Sequence, residues 1–172
     1  MPGNEPKKEP ISFGRVYARS ETFRRLFQDG MTLVEETAAY LDGDGRISAK
    51  DLGRPSSIVY ATESMRLTTR LMQLASWLLL HRSVNEGDMT VDQAAEEKRK
   101  IKLDQLATNM NGPGWDQLPD DFKGLVARSL RLQKRVERID AALFEQVREI
   151  DSENNPVGEQ IEALSAALGK RG

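Results

Sequence analysis

The sequence predicts an all-α protein, an antiparallel bundle of three long helices with one shorter polar helix and disordered tails. Apolar residues recur at helical spacing over long stretches, and no alternating β pattern of useful length interrupts them. Gly and Pro concentrate in the first ten residues and in three internal segments, at 43–55, 112–119 and 156–158. We interpret these segments as loops between helices.

The first helix is predicted to begin after Ser20, which can cap its N-terminus, and to end at Gly43. Its predicted buried residues, at i, i+3, i+4 and i+7 spacing, are Phe23, Leu26, Phe27, Met31, Val34, Ala38 and Leu41. Gly30 is the weak point of this helix, because glycine has a low helix propensity.

The second helix is predicted to run from Pro55 to Glu86 and to end at Gly87. On a helical wheel the predicted core side holds Ala61, Met65, Thr68, Leu71, Met72, Ala75, Leu78 and Leu79. Arg66, Arg70 and Trp77 fall on the opposite, polar side. Either another segment of the chain covers Trp77, or these three residues form a partner-binding surface, where Trp and Arg are favoured.

The third helix is predicted to begin with a capping box at Thr90 and Gln93 and to reach Leu106. The last helix is predicted from Pro119 to about Ile150. Away from its apolar seam it carries a strip of basic residues, Arg128, Arg131, Lys134, Arg135 and Arg138. This strip is either a solvated face with local ion pairs or a docking surface for an acidic partner.

The predicted domain covers 16–150, between a disordered tail at 1–15 and a flexible tail at 151–172. The second tail places Ile161, Leu164 and Leu168 on one side of a short helical segment. Such a segment is marginally helical alone and can fold onto a partner, so it is a third candidate binding element.

The composition argues against an enzyme. The chain has no Cys and one His, His81, and it has no Gly-rich phosphate loop, so we expect no catalytic site, cofactor or metal. The Asp-rich segment after the first helix imitates a calcium loop, but Tyr40 stands where the first ligand belongs. A net charge of −2 disfavours nucleic acid as a partner, and no apolar run is long enough to span a membrane, so we expect a cytoplasmic protein.

Four segments of the helical body are distinctive, namely SETFRRLFQDGMTLVEETAAYLDG (20–43), YATESMRLTTRLMQLASWLLL (60–80), VNEGDMT (84–90) and SLRLQKRVERID (129–140). Together they resemble the regulator of CtrA degradation family, RcdA, of alphaproteobacteria. The resemblance implies a helical bundle that can form a homodimer and acts as an adaptor for the ClpXP protease. It further implies that the adaptors CpdR and PopA assist in bringing cell-cycle regulators such as CtrA to the protease. It carries no residue-level binding motif.

Two alternatives of other classes stay open at this stage. One is a structural helical dimer without cargo. The other is a nucleic-acid-binding regulator that uses the arginines from Arg128 to Arg138, although no aromatic residue interleaves with them for base stacking. The wide apolar arc of the second helix favours a homodimer in any of these readings.

Overall fold

The structure, a computed structural model, describes residues 21–103 and 107–153, with side chains described as far as 143. All regular structure in this part of the chain is helical. The helices are α1 (Glu21–Asp42), α2 (Asp44–Ser48), a 3₁₀ turn (Ala49–Asp51), α3 (Arg54–Glu86), α4 (Val91–Lys98) and α5 (Asp120–Glu153). The prediction of an all-α bundle is confirmed.

Helix boundaries follow local sequence signals. Gly87 ends α3 in the left-handed region, with φ 83°, and its N–H donates to the Val84 carbonyl. The capping box begins α4, because the Gln93 N–H donates to Thr90 Oγ1 at 3.2 Å and the Thr90 N–H donates to Gln93 Oε1 at 3.0 Å. However, α4 ends at Lys98 and not near Leu106, since few apolar residues hold its second half against the bundle.

The internal contacts divide the chain into one unit that ends at Glu137 and another that begins at Arg138. In the described part of the chain, the second unit consists of the C-terminal part of α5. The predicted Ser20 cap and both predicted tails lie wholly or largely outside the described residues, so the predicted domain boundaries stay predictions.

The long helices of the first unit are not all antiparallel. Tyr40, at the end of α1, stacks on Phe122 with ring centroids 6.3 Å apart. Tyr60, near the start of α3, lies 4.7 Å from the same Phe122 ring, which is itself near the start of α5. Hence α1 runs antiparallel to both α3 and α5, whereas α3 and α5 run in the same direction. The end of α3 and the start of α5 therefore lie at opposite ends of the first unit.

Gly30 is a close-packing site and not the weak point that its propensity suggested. It is buried in α1, and a Cβ placed there would overlap Leu78 Cδ1 on α3 and lie 3.7 Å from Leu132 Cδ2 on α5. The missing side chain therefore allows α1 to approach the other two helices closely.

The predicted core side of α3 is confirmed at Leu71 and Leu78 and wrong at Met65, Met72 and Leu79. Met65, Met72 and Leu79 are exposed, although the helical wheel places them in the core. Arg70 and Trp77, which the wheel places on the polar side, are no more than 1% exposed. Leu67, Leu71, Leu74 and Leu78 complete the buried side. A wheel scores each residue by its own polarity and does not include the partners that satisfy buried polar atoms.

Arg70 is satisfied inside the bundle by three neutral acceptors. Its Nε donates to Gln133 Oε1 at 3.0 Å, and its Nη1 donates to Ser129 Oγ at 2.9 Å, both on α5. Its Nη2 donates to Thr108 Oγ1 at 2.9 Å, on the connection between α4 and α5. These bonds fix the register between the two parallel helices, because a guanidinium presents its donors in a rigid planar fork.

The acid in this cluster is Glu63, which is 3% exposed. Its Oε2 accepts from Thr108 Oγ1 at 2.9 Å, and its Oε1 accepts from Arg66 Nη1 at 2.6 Å. Burial lowers the pKa of Arg70, and the negative charge of Glu63 acts in the opposite direction. The Thr108 hydroxyl therefore links a buried cation to a buried anion, because it accepts from Arg70 and donates to Glu63.

Gln133 links the cluster to a second residue of the connection between α4 and α5, Leu103. Its Nε2 donates to the backbone carbonyl of Leu103 and to Glu137 Oε1, the latter at 2.6 Å. The polar cluster, consisting of Glu63, Arg66, Arg70, Thr108, Ser129 and Gln133, thus ties α3, α5 and the connection together. The described residues of the connection between α4 and α5 form no helix, so these hydrogen bonds take the place of helix packing there.

We predict that Gly30→Ala destabilises the protein by about 1–3 kcal/mol, because the new methyl group overpacks the α1 contact with Leu78. Gly124→Ala is the matched control. Gly124 lies exposed on α5 with open space around it, so the control should gain about 0.5–1 kcal/mol from helix propensity. Urea unfolding followed by circular dichroism measures both. Equal stabilisation by the two substitutions would contradict the close packing at Gly30.

We also predict that Thr108→Val, which keeps the side-chain shape but removes the hydroxyl, costs about 1–3 kcal/mol of unfolding free energy. Arg70 and Glu63 would then each lose a hydrogen-bond partner in the interior. Thr108→Ser retains the hydroxyl and should cost clearly less. If chemical denaturation gives both variants the stability of the unsubstituted protein, the hydroxyl does not stabilise the cluster.

Candidate functional site

A groove of about 400 Å³ runs between α1 and α5 in the first unit. Its lining residues are Asp29, Thr32, Leu33, Arg128, Arg131, Leu132 and Arg135. The side chains of Leu33 and Leu132, which are 3% and 9% exposed, form the apolar floor of the groove. Three arginines of the predicted basic strip therefore border one concavity, at i, i+3 and i+7 positions of the same helix. We call this feature the arginine groove.

Two of the three arginines already contact carboxylates of α1. Arg128 Nη1 donates to Glu36 Oε2, and Arg135 Nη1 lies 4.0 Å from Asp29 Oδ2. The hydrogen bond from Arg128 lowers the pKa of Glu36, which keeps this carboxylate ionised to lower pH than usual. All four side chains are substantially exposed, so solvent weakens both pairs.

Arg131 lies between the two ion pairs in sequence and is exposed. In the described part of the chain it makes no hydrogen bond or ion pair. The groove therefore presents one unpaired guanidinium above an apolar floor, flanked by two guanidinium groups whose carboxylate partners are exposed and weakly held.

The second surface feature is a line of apolar residues along α3. Ile58, Met65, Met72 and Leu79 follow one another at seven-residue steps, and their exposed fractions are 61%, 70%, 66% and 49%. A seven-residue repeat keeps residues on one side of a helix and is typical of helix pairing. We call these four residues the apolar row. The spacing of seven is visible in the sequence, where Met65, Met72 and Leu79 were predicted to lie in the core.

The remaining predicted binding residues belong to neither the arginine groove nor the apolar row. Trp77 and Arg70 are buried, so the alternative that other segments of the chain cover Trp77 is confirmed, and the prediction that these two residues form a docking surface is wrong. The Trp77 ring lies 4.1 Å from the His81 ring. Arg66 is partly exposed but bonded to Glu63, and Arg138 is exposed in the second unit. Ile161, Leu164 and Leu168 lie outside the described residues.

Neither surface feature resembles a catalytic centre. Among the described side chains, in residues 21–103 and 107–143, no group of His, Asp and Glu is arranged to hold a metal ion. In the same residues, no helix combines the length and apolar character that a membrane crossing requires. The geometry offers a charged concavity and an apolar helix face, both of which suit protein contacts.

The sequence matches the family model for proteins of unknown function DUF1465 over residues 15–168. A crystal structure of RcdA from Caulobacter crescentus CB15 is similar, with 47% sequence identity and a TM-score of 0.61. The alignment covers 75% of this chain and 96% of the RcdA chain. No curated protein matches the sequence. The resemblance found in the sequence is thereby confirmed, and the chain belongs to the DUF1465 family and to the family of RcdA.

Proposed function

We propose that this protein is a cytoplasmic, non-enzymatic adaptor that helps deliver cell-cycle regulatory proteins to the ClpXP protease. The observation that carries this proposal is the 47% identity to RcdA over 96% of the RcdA chain. The surface of the bundle supports it, because the arginine groove and the apolar row are binding features without nearby catalytic groups. CpdR and PopA are the expected co-adaptors, and a CtrA-type regulator is the expected cargo.

We further propose that the adaptor is a homodimer that pairs through the apolar row of α3. Four large apolar side chains at 49–70% exposure on one helix line are costly to leave in water. Ala61 and Thr68 lie between them, and these small side chains allow a second helix to approach. Because a twofold axis places the same patch of each copy in contact, one such row is sufficient for pairing.

Reconstituted proteolysis tests the adaptor function. We predict that ClpXP with CpdR and PopA, supplied with ATP and cyclic di-GMP, degrades CtrA faster when this protein is added. Because an adaptor raises the local concentration of cargo at the protease, we expect an acceleration of about tenfold at subsaturating CtrA. RcdA from Caulobacter serves as the positive control. If RcdA accelerates degradation and this protein does not, the adaptor proposal is wrong.

Sedimentation tests the dimer. We predict that the unsubstituted protein sediments as a dimer at about 50 μM, and that Met65→Glu combined with Met72→Glu converts it to a monomer with unchanged helix content. The charged side chains would face each other across the twofold axis and stay unpaired. Ile47→Glu is the control, because Ile47 is 64% exposed on α2, outside the apolar row. A dimer that survives the double substitution would exclude the row as the interface.

A further inference from the structure

We propose that the arginine groove binds an acidic segment of a partner protein, with Arg131 as its central contact. The proposal deepens the proposed function by naming the chemistry of one partner contact. It rests on that function for the identification of the partner as an adaptor's partner, whereas the binding itself is argued from the groove. Three observations carry it, namely the unpaired Arg131, the carboxylates already seated on its neighbours and the apolar floor of the groove.

The neighbours of Arg131 show what kind of group the groove accepts. Arg128 holds the Glu36 carboxylate, and Arg135 lies 4.0 Å from the Asp29 carboxylate. Both acids come from α1, which runs antiparallel to α5 beside the groove. Two of the three guanidinium groups are thus in contact with carboxylates of the chain itself, and Arg131 has the same chemistry without a partner in the described part of the chain.

The spacing of the arginines matches the spacing of acids in a peptide. Along α5 the step from Arg128 to Arg131 rises about 4.5 Å, and the step from Arg131 to Arg135 rises about 6 Å. Alternate side chains of an extended segment are about 6.6 Å apart and point to the same side. Carboxylates two residues apart can therefore contact Arg131 and Arg135 together, and Arg135 has donors to share between Asp29 and a second carboxylate.

The floor of the groove favours a protein over a nucleic acid. Leu33 and Leu132 belong to the groove lining, so an apolar side chain that enters the groove can contact them. The lining contains no aromatic ring on which a base could stack. A segment that alternates acidic and aliphatic residues fits both the rim and the floor.

A synthetic peptide tests the proposal directly. The probe is a fluorescein-labelled peptide of about twelve residues in which Glu and Leu alternate, and its binding is followed by anisotropy at low salt. We expect Arg131→Glu to weaken binding at least about tenfold, because it replaces the central contact with a like charge. Arg46→Glu makes the same change of net charge at an exposed arginine outside the groove, and should change affinity less than about twofold.

A second variant tests whether the peptide competes with Glu36 for Arg128. Glu36→Gln removes the carboxylate that occupies Arg128, so it should tighten peptide binding about threefold. The peptide with Gln in place of Glu should bind poorly to every variant. Equal affinity of the Arg131→Glu and unsubstituted proteins for the acidic peptide would overturn the proposal.

A DNA oligonucleotide of equal charge is the competing ligand. Tighter binding of the oligonucleotide than of the peptide, abolished by Arg131→Glu, would overturn the proposal in favour of a nucleic-acid site. None of these measurements involves ClpXP, so they are independent of the degradation assay. The groove can fail to bind the peptide while the adaptor still accelerates proteolysis, and the adaptor can fail while the groove binds.

Discussion

The buried guanidinium of Arg70 is the interaction on which the rest of the bundle depends. Removing a cation from water costs several kcal/mol unless its donors are satisfied, and the bundle satisfies them with α5 and the connection. The fork of Arg70 reaches Gln133, Ser129 and Thr108 at 2.9–3.0 Å, so a shift of α5 by one residue along α3 would leave donors without acceptors. The cluster therefore sets the register of two helices that no short loop joins.

The same cluster also sets the rotation of α3. With Glu63, Arg70 and Trp77 turned inward, the side of the helix that holds Met65 and Met72 must face outward. The opposite rotation would bury two methionines but would expose a Trp side chain and separate Arg70 from its partners. Burial of the indole and the hydrogen bonds outweigh two flexible thioethers. The exposure of the apolar row is thus a consequence of burying the polar cluster, because one rotation of α3 determines both.

Prediction from sequence succeeded where the signals are local. The capping box at Thr90, the terminal Gly87 and the bounds of α3 depend on residues within one turn, so the sequence contains all the information needed. Family membership was also recognisable from contiguous segments.

The rotation of α3 could not be predicted in this way, because the stability of buried Arg70 depends on Thr108 and Gln133, which are remote in sequence. The parallel course of α3 and α5 was missed for the same reason. The long connection permits either direction, and the choice depends on tertiary contacts such as the Tyr60 and Phe122 rings. The low helix propensity of glycine likewise led to the wrong prediction that Gly30 weakens α1. In the structure, the absence of a side chain at Gly30 leaves space for Leu78.

The two surface features belong to different helices, and this has a consequence for binding. The arginine groove is lined by α1 and α5, whereas the apolar row lies on α3, so pairing through the row uses none of the groove residues. A homodimer would then present two arginine grooves at a fixed separation. Contacts of exposed charges, each worth about 1 kcal/mol or less, become more effective when two of them engage one partner or two copies of it. Pairing through α3 would therefore increase the avidity of the groove for an acidic partner without changing any contact within it.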